Sequence, residues 1–183
     1  MVSKKLQRIA VWLDENIERY LLIVTYFYIT FIIVVGVFNR FVLQSTSGWE
    51  QETARLLFIW LTWIGASLAV RKRLHIRIDF IYQYVSDRSE NLLYIFSNLV
   101  VITFCVLAFD GFIPVLETTR GFGASLVTLD LSTIYFKAAI PAGLALMTLR
   151  AIQMTIIDIQ NLWAGEEAYK GERLFEVYEE GDT

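Results

Sequence analysis

Four long apolar blocks separated by short polar stretches account for most of the chain. The first is uncharged from Tyr20 to Asn39, between Arg19 and Arg40. At ~1.5 Å rise per residue it makes roughly 30 Å of helix, one bilayer crossing. The second, Leu56 to Val70 between Arg55 and Arg71, is uncharged but covers only about 22 Å. Starting this helix at Trp49 lengthens it to roughly 33 Å and places Glu50, Glu52 and Arg55 in its first two turns. Acidic side chains favour a helix N-terminus, which supports that start. The third block extends from about Ser89 to Leu116, with Asp110 the only formal charge after Glu90. Asp87 and Glu90 offer a capping box before it. The fourth follows a Ser132 or Thr133 cap, continues to about Ile157, and is expected to bend at Pro141, with Gly143 nearby.

Between the blocks the pattern changes. Residues 4–18 set Leu6, Ile9, Ala10, Leu13 and Ile17 at helical spacing against Lys4, Lys5, Arg8, Asp14, Glu15 and Glu18, the pattern of an amphipathic helix on a membrane face. Residues 71–88 hold five Lys or Arg, and Ile78, Ile81, Tyr82 and Val85 fit a second, short interfacial helix. Glu117 to Leu131 contains Gly121, Gly123 and Ser125 and reads as a loop whose Leu126, Val127, Leu129 and Leu131 dip into the interface. The expected fold is therefore all-α and integral to a membrane. An amphipathic segment at 1–18 precedes a four-helix domain at 19–163, with spans at about 20–40, 49–71, 89–116 and 132–158, and a tail at 164–183 follows.

Basic residues set the expected orientation. Lys4, Lys5, Arg8 and Arg19 flank the first span, and Arg71, Lys72, Arg73, Arg77 and Arg88 follow the second, whereas residues 41–54 hold no Lys or Arg and the loop after span three has only Arg120. By the positive-inside rule both termini are expected on the cytoplasmic face of the membrane.

Composition agrees with the pattern: 56% of residues are hydrophobic, 19% are charged and mean hydropathy is +0.50, outside the balance of a soluble domain. The net charge of −3 divides unevenly, because after Gly165 seven acids oppose Lys170 and Arg173, leaving the preceding body at +2. Nothing points to nucleic acid; the expected surroundings are membrane lipids. One cysteine, Cys105, excludes an internal disulfide and an all-thiolate metal site. The N-terminus does not read as a cleavable signal, because its first apolar block is late and too long.

The sharpest candidate cluster is Arg40, Glu50, Glu52 and Arg55, since ionisable groups at bilayer depth are costly and usually paired. Glu52 and Arg55, three apart on one helix, can pair directly. The cluster reads as an ion pathway or as a charge network fixing span one to span two or to a partner; its place near an interface favours the network. Trp49, Trp60 and Trp63 provide large packing surfaces, and Gly65, Ala66, Ser67 and Ala69 a small-residue face. Asp110 could carry a proton, but lies nearer the outer end of its span than the centre and reads better as a hydrogen-bonded or interfacial group. Lys137 and Arg150 fall near opposite ends of span four, where they can snorkel. His75, the sole histidine, faces Asp79 four residues on and cannot ligate haem from both sides. No catalytic, substrate-binding, metal or cofactor constellation is present.

Asn39-Arg40, W-E-Q-E-T-A-R at 49–55, F-I-W-L-T-W-I-G-A-S-L-A-V-R at 58–71 and H-I-R-I-D at 75–79 together resemble the small membrane subunit of tripartite ATP-independent periplasmic (TRAP) transporters. A-A-I-P-A-G-L-A-L-M-T-L-R, ending at Arg150, is similar to that family's last helix. Gln51 departs from the pattern, which often carries an acid there before Glu52. The resemblance implies a non-enzymatic scaffold for a sodium-coupled importer of organic acids, of the C4-dicarboxylate or sialic acid class. It also implies two partners, a large elevator-type membrane subunit and a periplasmic substrate-binding protein. Arg40, Trp49, Glu50, Glu52, Arg55, Trp60, Trp63 and Gly65 are then candidates for structural or partner contacts, as are Arg71, His75, Asp79 and Arg150. The competing expectation is a small oligomeric transporter using Asp110 or Glu52.

Overall fold

The computed structural model describes residues 2–45, 47–73 and 87–165, with side chains described from residue 16 in the first stretch and from residue 89 in the last. The chain forms α1 (Val2–Phe41), α2 (Trp49–Arg71), α3 (Asp87–Phe122) and α4 (Ile134–Ala164). Each contains a segment long and apolar enough to cross a membrane: Asn16–Phe41, Trp49–Arg71, Ser89–Phe122 and Ile134–Ala164. Among the described residues the one β feature is an isolated bridge between Ser125 and Ser132. The all-α, four-span expectation holds, and α2 starts at Trp49 with Glu50 and Glu52 in its first turn.

Three boundaries differ from the sequence pattern. The amphipathic segment at 1–18 is not a separate element, because α1 continues from it into the first span; no Gly or Pro interrupts the chain before Gly36. Helix α3 runs past Leu116 into the expected loop. The Thr118 and Thr119 hydroxyls donate to the Pro114 and Val115 carbonyls (2.8 and 2.6 Å), which keeps these polar residues compatible with a helix. The helix stops at Gly123, whose φ of +58° suits glycine. Helix α4 begins where Ser132 Oγ accepts from Ile134 N (3.4 Å), stays helical through Pro141, and extends beyond Ile157 to a stop at Gly165 (φ +71°). The expected interfacial helix within 71–88, with His75 and Asp79, and the acidic tail fall largely outside the described residues.

Packing divides the chain into two compact units, residues 1–66 with 109–144 and residues 67–108 with 145–183. In the first unit α1 and α2 run antiparallel: an added Cβ at Gly36 would lie 3.2 Å from Glu50 Cβ, and one at Gly65 would lie 3.7 Å from a Leu22 methyl. Trp63 presses on Gly143 of α4, and Phe136, Ala139 and Leu144 are buried beside it. In the second unit Val70, Tyr94, Cys105, Met147, Ala151 and Met154 form the buried apolar set.

Among the described residues, helix α4 carries half of the buried apolar set. Its most apolar window is 33% buried, against 11%, 11% and 6% for α1 to α3, so those three present their apolar faces outward. In lipid, exposed Phe27 and Phe104 carry no hydrophobic penalty, and helix association rests on close contact at small residues. Ala139 and Ala151 are fully buried for this reason.

Gly143 is the tightest of these contacts, since a Cβ there would sit 2.5 Å from Trp63 Cβ, while Gly121 of α3 has open space around it. Gly143→Val is expected to lower stability by ~1–3 kcal/mol through overpacking, and Gly121→Ala to leave it level or slightly higher. Thermal unfolding in detergent, followed by tryptophan fluorescence, checks this; equal melting of both variants contradicts it.

Candidate functional site

The polar groups gather in two places, one in each unit. The first is the N-terminal end of α2. The chain leaves α1 at Phe41 and turns back through Gly48 in the left-handed region (φ +74°), where an added Cβ would lie 3.2 Å from Thr128 Oγ1. Close approach and positive φ together require glycine here. Glu50, buried although charged, accepts from Asn39 Nδ2 (2.8 Å) and from Ser47 Oγ (2.8 and 2.7 Å to its two oxygens). The Asn39-Arg40 and W-E motifs thus meet in space: Asn39, on the last turn of α1, is bonded to the first turn of α2. The absence of a side chain at Gly36 lets Glu50 reach in.

Glu52 does a different job. Its carboxylate accepts from the main-chain N–H of Thr128 (3.1 and 3.3 Å) and of Leu129 (3.0 Å). These amides belong to a tight loop closed by Leu126 N–H to Leu131 O (2.8 Å) and Thr133 N–H to Ala124 O (2.9 Å). Two adjacent amides aimed at one carboxylate make a clasp between α2 and the α3–α4 loop. The expected Glu52–Arg55 pair does not form, because these amides take the carboxylate and the Arg55 guanidinium lies over the Phe136 ring of α4, 5.1 Å from its centroid. Arg40 is exposed beside Phe41 and does not join Glu50 or Glu52. The four-charge cluster of the sequence resolves into separate contacts that draw α1, α4 and the loop to α2.

Below the clasp, Trp60 donates to the Tyr135 carbonyl (3.2 Å), bonding α2 to the first turn of α4. That turn lacks in-helix partners only for N–H groups, so the Trp60 bond adds to an occupied acceptor. Trp63 fills the space left at Gly143, and half-exposed Trp49 sits at the helix start. Lys137 donates to Thr119 Oγ1 (2.7 Å), tying α4 to α3.

The second place lies at the other end of α2 and was not legible as a site. Arg73, just past the helix, adopts a left-handed conformation (φ +54°) that costs a non-glycine residue roughly 1 kcal/mol. Its guanidinium forms a buried ion pair with Asp158 of α4 and lies 4.0 Å from the Tyr94 ring centroid. Asn98 of α3 donates to the other Asp158 oxygen (3.0 Å). Asp158 is fully buried, so one carboxylate ties α4 to α3 and to the residue just past α2. The available signal was a lone acid in the apolar run Ile156-Ile157-Asp158-Ile159; placing the end of span four at about 158 treated it as a boundary charge.

The remaining candidates are dispersed. Arg71 is half-buried in the last turn of α2. Arg150 is in the middle of α4, buried, and donates to Gln153 Oε1 (2.7 Å), so it does not snorkel from a helix end. Asp110 is exposed on α3. It lies twelve residues before the end of α3, farther from that end than the sequence implied, because α3 continues to Phe122. Among the described residues no group of three or more His, Cys, Asp or Glu could hold a metal ion.

Two outcomes follow. Asp158→Ala strands Arg73 in a buried site and is expected to cost ~3–5 kcal/mol, whereas Arg73→Met with Asp158→Leu costs much less than the two single changes summed. Unfolding measurements on all four proteins check this, and additive losses contradict it. Glu52→Ala is expected to speed hydrogen exchange at the Thr128 and Leu129 amides roughly tenfold or more, leaving the middle of α2 protected. Unchanged exchange at both amides contradicts the clasp.

Comparison with known proteins places the chain in a family. The family model described as "Tripartite ATP-independent periplasmic transporters, DctQ component" matches residues 29–161. The isethionate TRAP transporter permease protein DctMQ of Oleidesulfovibrio alaskensis is 24% identical over 78% of this chain and 23% of its own length. The sialic acid TRAP transporter permease protein SiaT of Haemophilus influenzae is 29% identical over 70% of the chain and 21% of its own length. The chain thus spans under a quarter of both. The sialic acid TRAP transporter small permease protein SiaQ of Vibrio cholerae is 26% identical over 69% of the chain and 72% of its own length. The matched region holds Asn39, Glu50, Glu52, Arg73 and Asp158, and the chain belongs to the DctQ-component family of TRAP transporters, membrane transport components and not enzymes.

Proposed function

We propose that the chain is the stator of a sodium-coupled TRAP importer, holding a larger elevator-type membrane component in place while a soluble periplasmic protein delivers the substrate. One observation carries this reading. The carboxylates of Glu50, Glu52 and Asp158 are all bonded within the chain, to Asn39 and Ser47, to two loop amides, and to Arg73 and Asn98. Groups committed to joining helices serve as braces and not as a transport route. A frame against which another body moves needs such braces, because they join segments that would otherwise move independently.

The relatives support a larger partner. The match occupies only 23% and 21% of the DctMQ and SiaT proteins, and we assign the rest of such proteins to the component this chain works with. Their names carry isethionate and sialic acid, both organic anions. An organic acid, of the C4-dicarboxylate or sialic acid class, is accordingly the proposed substrate of the assembled system, with selectivity residing in the other components. Positive residues around α1 and after α2 support cytoplasmic termini in an inner membrane.

Proteoliposomes test the proposal. With the large membrane component, the binding protein and an inward sodium gradient, organic-acid uptake is expected only when this chain is present, and this chain alone is expected to move nothing. Full uptake without it, or uptake by it alone, contradicts the stator. For orientation, a reporter fused after Thr183 is expected to be active only in its cytoplasmic form; periplasmic activity overturns the assignment.

A further inference from the structure

Asp110 occupies an unusual position. It lies on α3 within the span Ser89–Phe122, is exposed, and has no bonding partner among the described residues. Its neighbours along the helix, Val106, Leu107 and Ile113, are exposed as well. Depth follows from the contacts of the first unit. Glu52 meets the α3–α4 loop, so the outer ends of α2, α3 and α4 lie near one level. Thr119, bonded to Lys137, is about one turn below the end of α3 at Phe122. Asp110 lies nine residues before Thr119, ~13.5 Å further along the helix. Within a hydrocarbon layer of about 30 Å this is close to the middle.

A second acceptor adjoins the carboxyl group. Pro114 has no N–H to give to the main-chain carbonyl four residues earlier, which is that of Asp110. The helical ladder thus leaves this oxygen without its usual donor, on the residue whose side chain also lacks one. Beside it, Gly111 has nothing within 4 Å of an added Cβ, leaving room for another helix or a long side chain. Thr103, Leu107, Asp110, Gly111, Pro114 and Thr118 recur along one exposed face at helical spacing. Lipid tails can satisfy neither oxygen, and polar groups at this depth face protein.

We propose that this face of α3 docks a membrane helix of the large component, and that the helix presents an Arg or Lys side chain to Asp110 at mid-bilayer. The proposal rests on the stator reading and specifies its contact face. A cationic donor matches the acceptor pair: a guanidinium can bond the carboxyl group and the freed carbonyl together, and its charge offsets that of Asp110. Gly111 admits the approach and Leu107 lines it.

The test uses the full chain co-expressed with the large component. A photo-crosslinking amino acid at Leu107 or Gly111 is expected to yield an adduct with the large component. Asp110→Leu is expected to reduce co-purification of the large component roughly tenfold or more, Asp110→Asn less, and neither to lower thermal stability of the chain purified alone. Crosslinks only to lipid or to a second copy of the chain, or undiminished co-purification of Asp110→Leu, overturn the face while leaving the stator intact. Failure of the unaltered chain to co-purify with the large component overturns the stator reading and the face with it.

Discussion

A bilayer core offers no hydrogen-bond partner, so each polar group taken into it must be satisfied by the protein, and this constraint shapes the polar contacts of the chain. It acts first on small hydroxyls. Thr30, Thr62, Thr103 and Thr155 each bond back to the carbonyl four residues earlier, hiding their polarity against their own helix. It acts more strongly on charge. Glu50, Glu52 and Asp158 cannot be settled within one helix, so each draws in a second or third segment. Pairing requirements thereby become inter-helix ties, and in a medium where apolar side chains gain nothing by leaving lipid, such ties and close packing hold the fold.

Close packing decides where the ties fall. Gly36 admits Glu50 to Asn39, and Gly143 admits Trp63 to α4, so the charged and aromatic groups of α2 reach their partners only because specific neighbours lack side chains. Helix α4, with small buried residues along its length, sits against α2 and α3 through Trp63, Lys137 and Asp158. Within each unit, such contacts tie α2 or the residues just past it to neighbouring segments.

Much of this was readable in the sequence. Block lengths gave four spans, and the short apolar run after Arg55 forced α2 back to Trp49, as observed. Glu50 and Glu52 fall in the first turn of α2 as the pattern implies, while their partners are not legible there. Glu52 pairs with loop amides and not with Arg55, since a carboxylate three residues from an arginine says nothing of a loop 76 residues away. Helix α3 passes the boundary that Gly121, Gly123 and Ser125 imply, because the Thr118 and Thr119 hydroxyls bond back to their own helix. The Arg73–Asp158 pair is not legible in the sequence, because the two are 85 residues apart, one in a basic run that reads as a membrane flank and the other where the apolar pattern of the fourth span ends.

The central claim is that the charges of α2 brace the protein and do not carry ions. Sodium dependence of organic-acid uptake by the reconstituted system carrying Glu52→Gln tests it most directly. The account predicts fewer assembled, active complexes, with the sodium-to-substrate ratio and the apparent sodium affinity unchanged in those that form. A changed ratio, or loss of sodium dependence in fully assembled complexes, would contradict it.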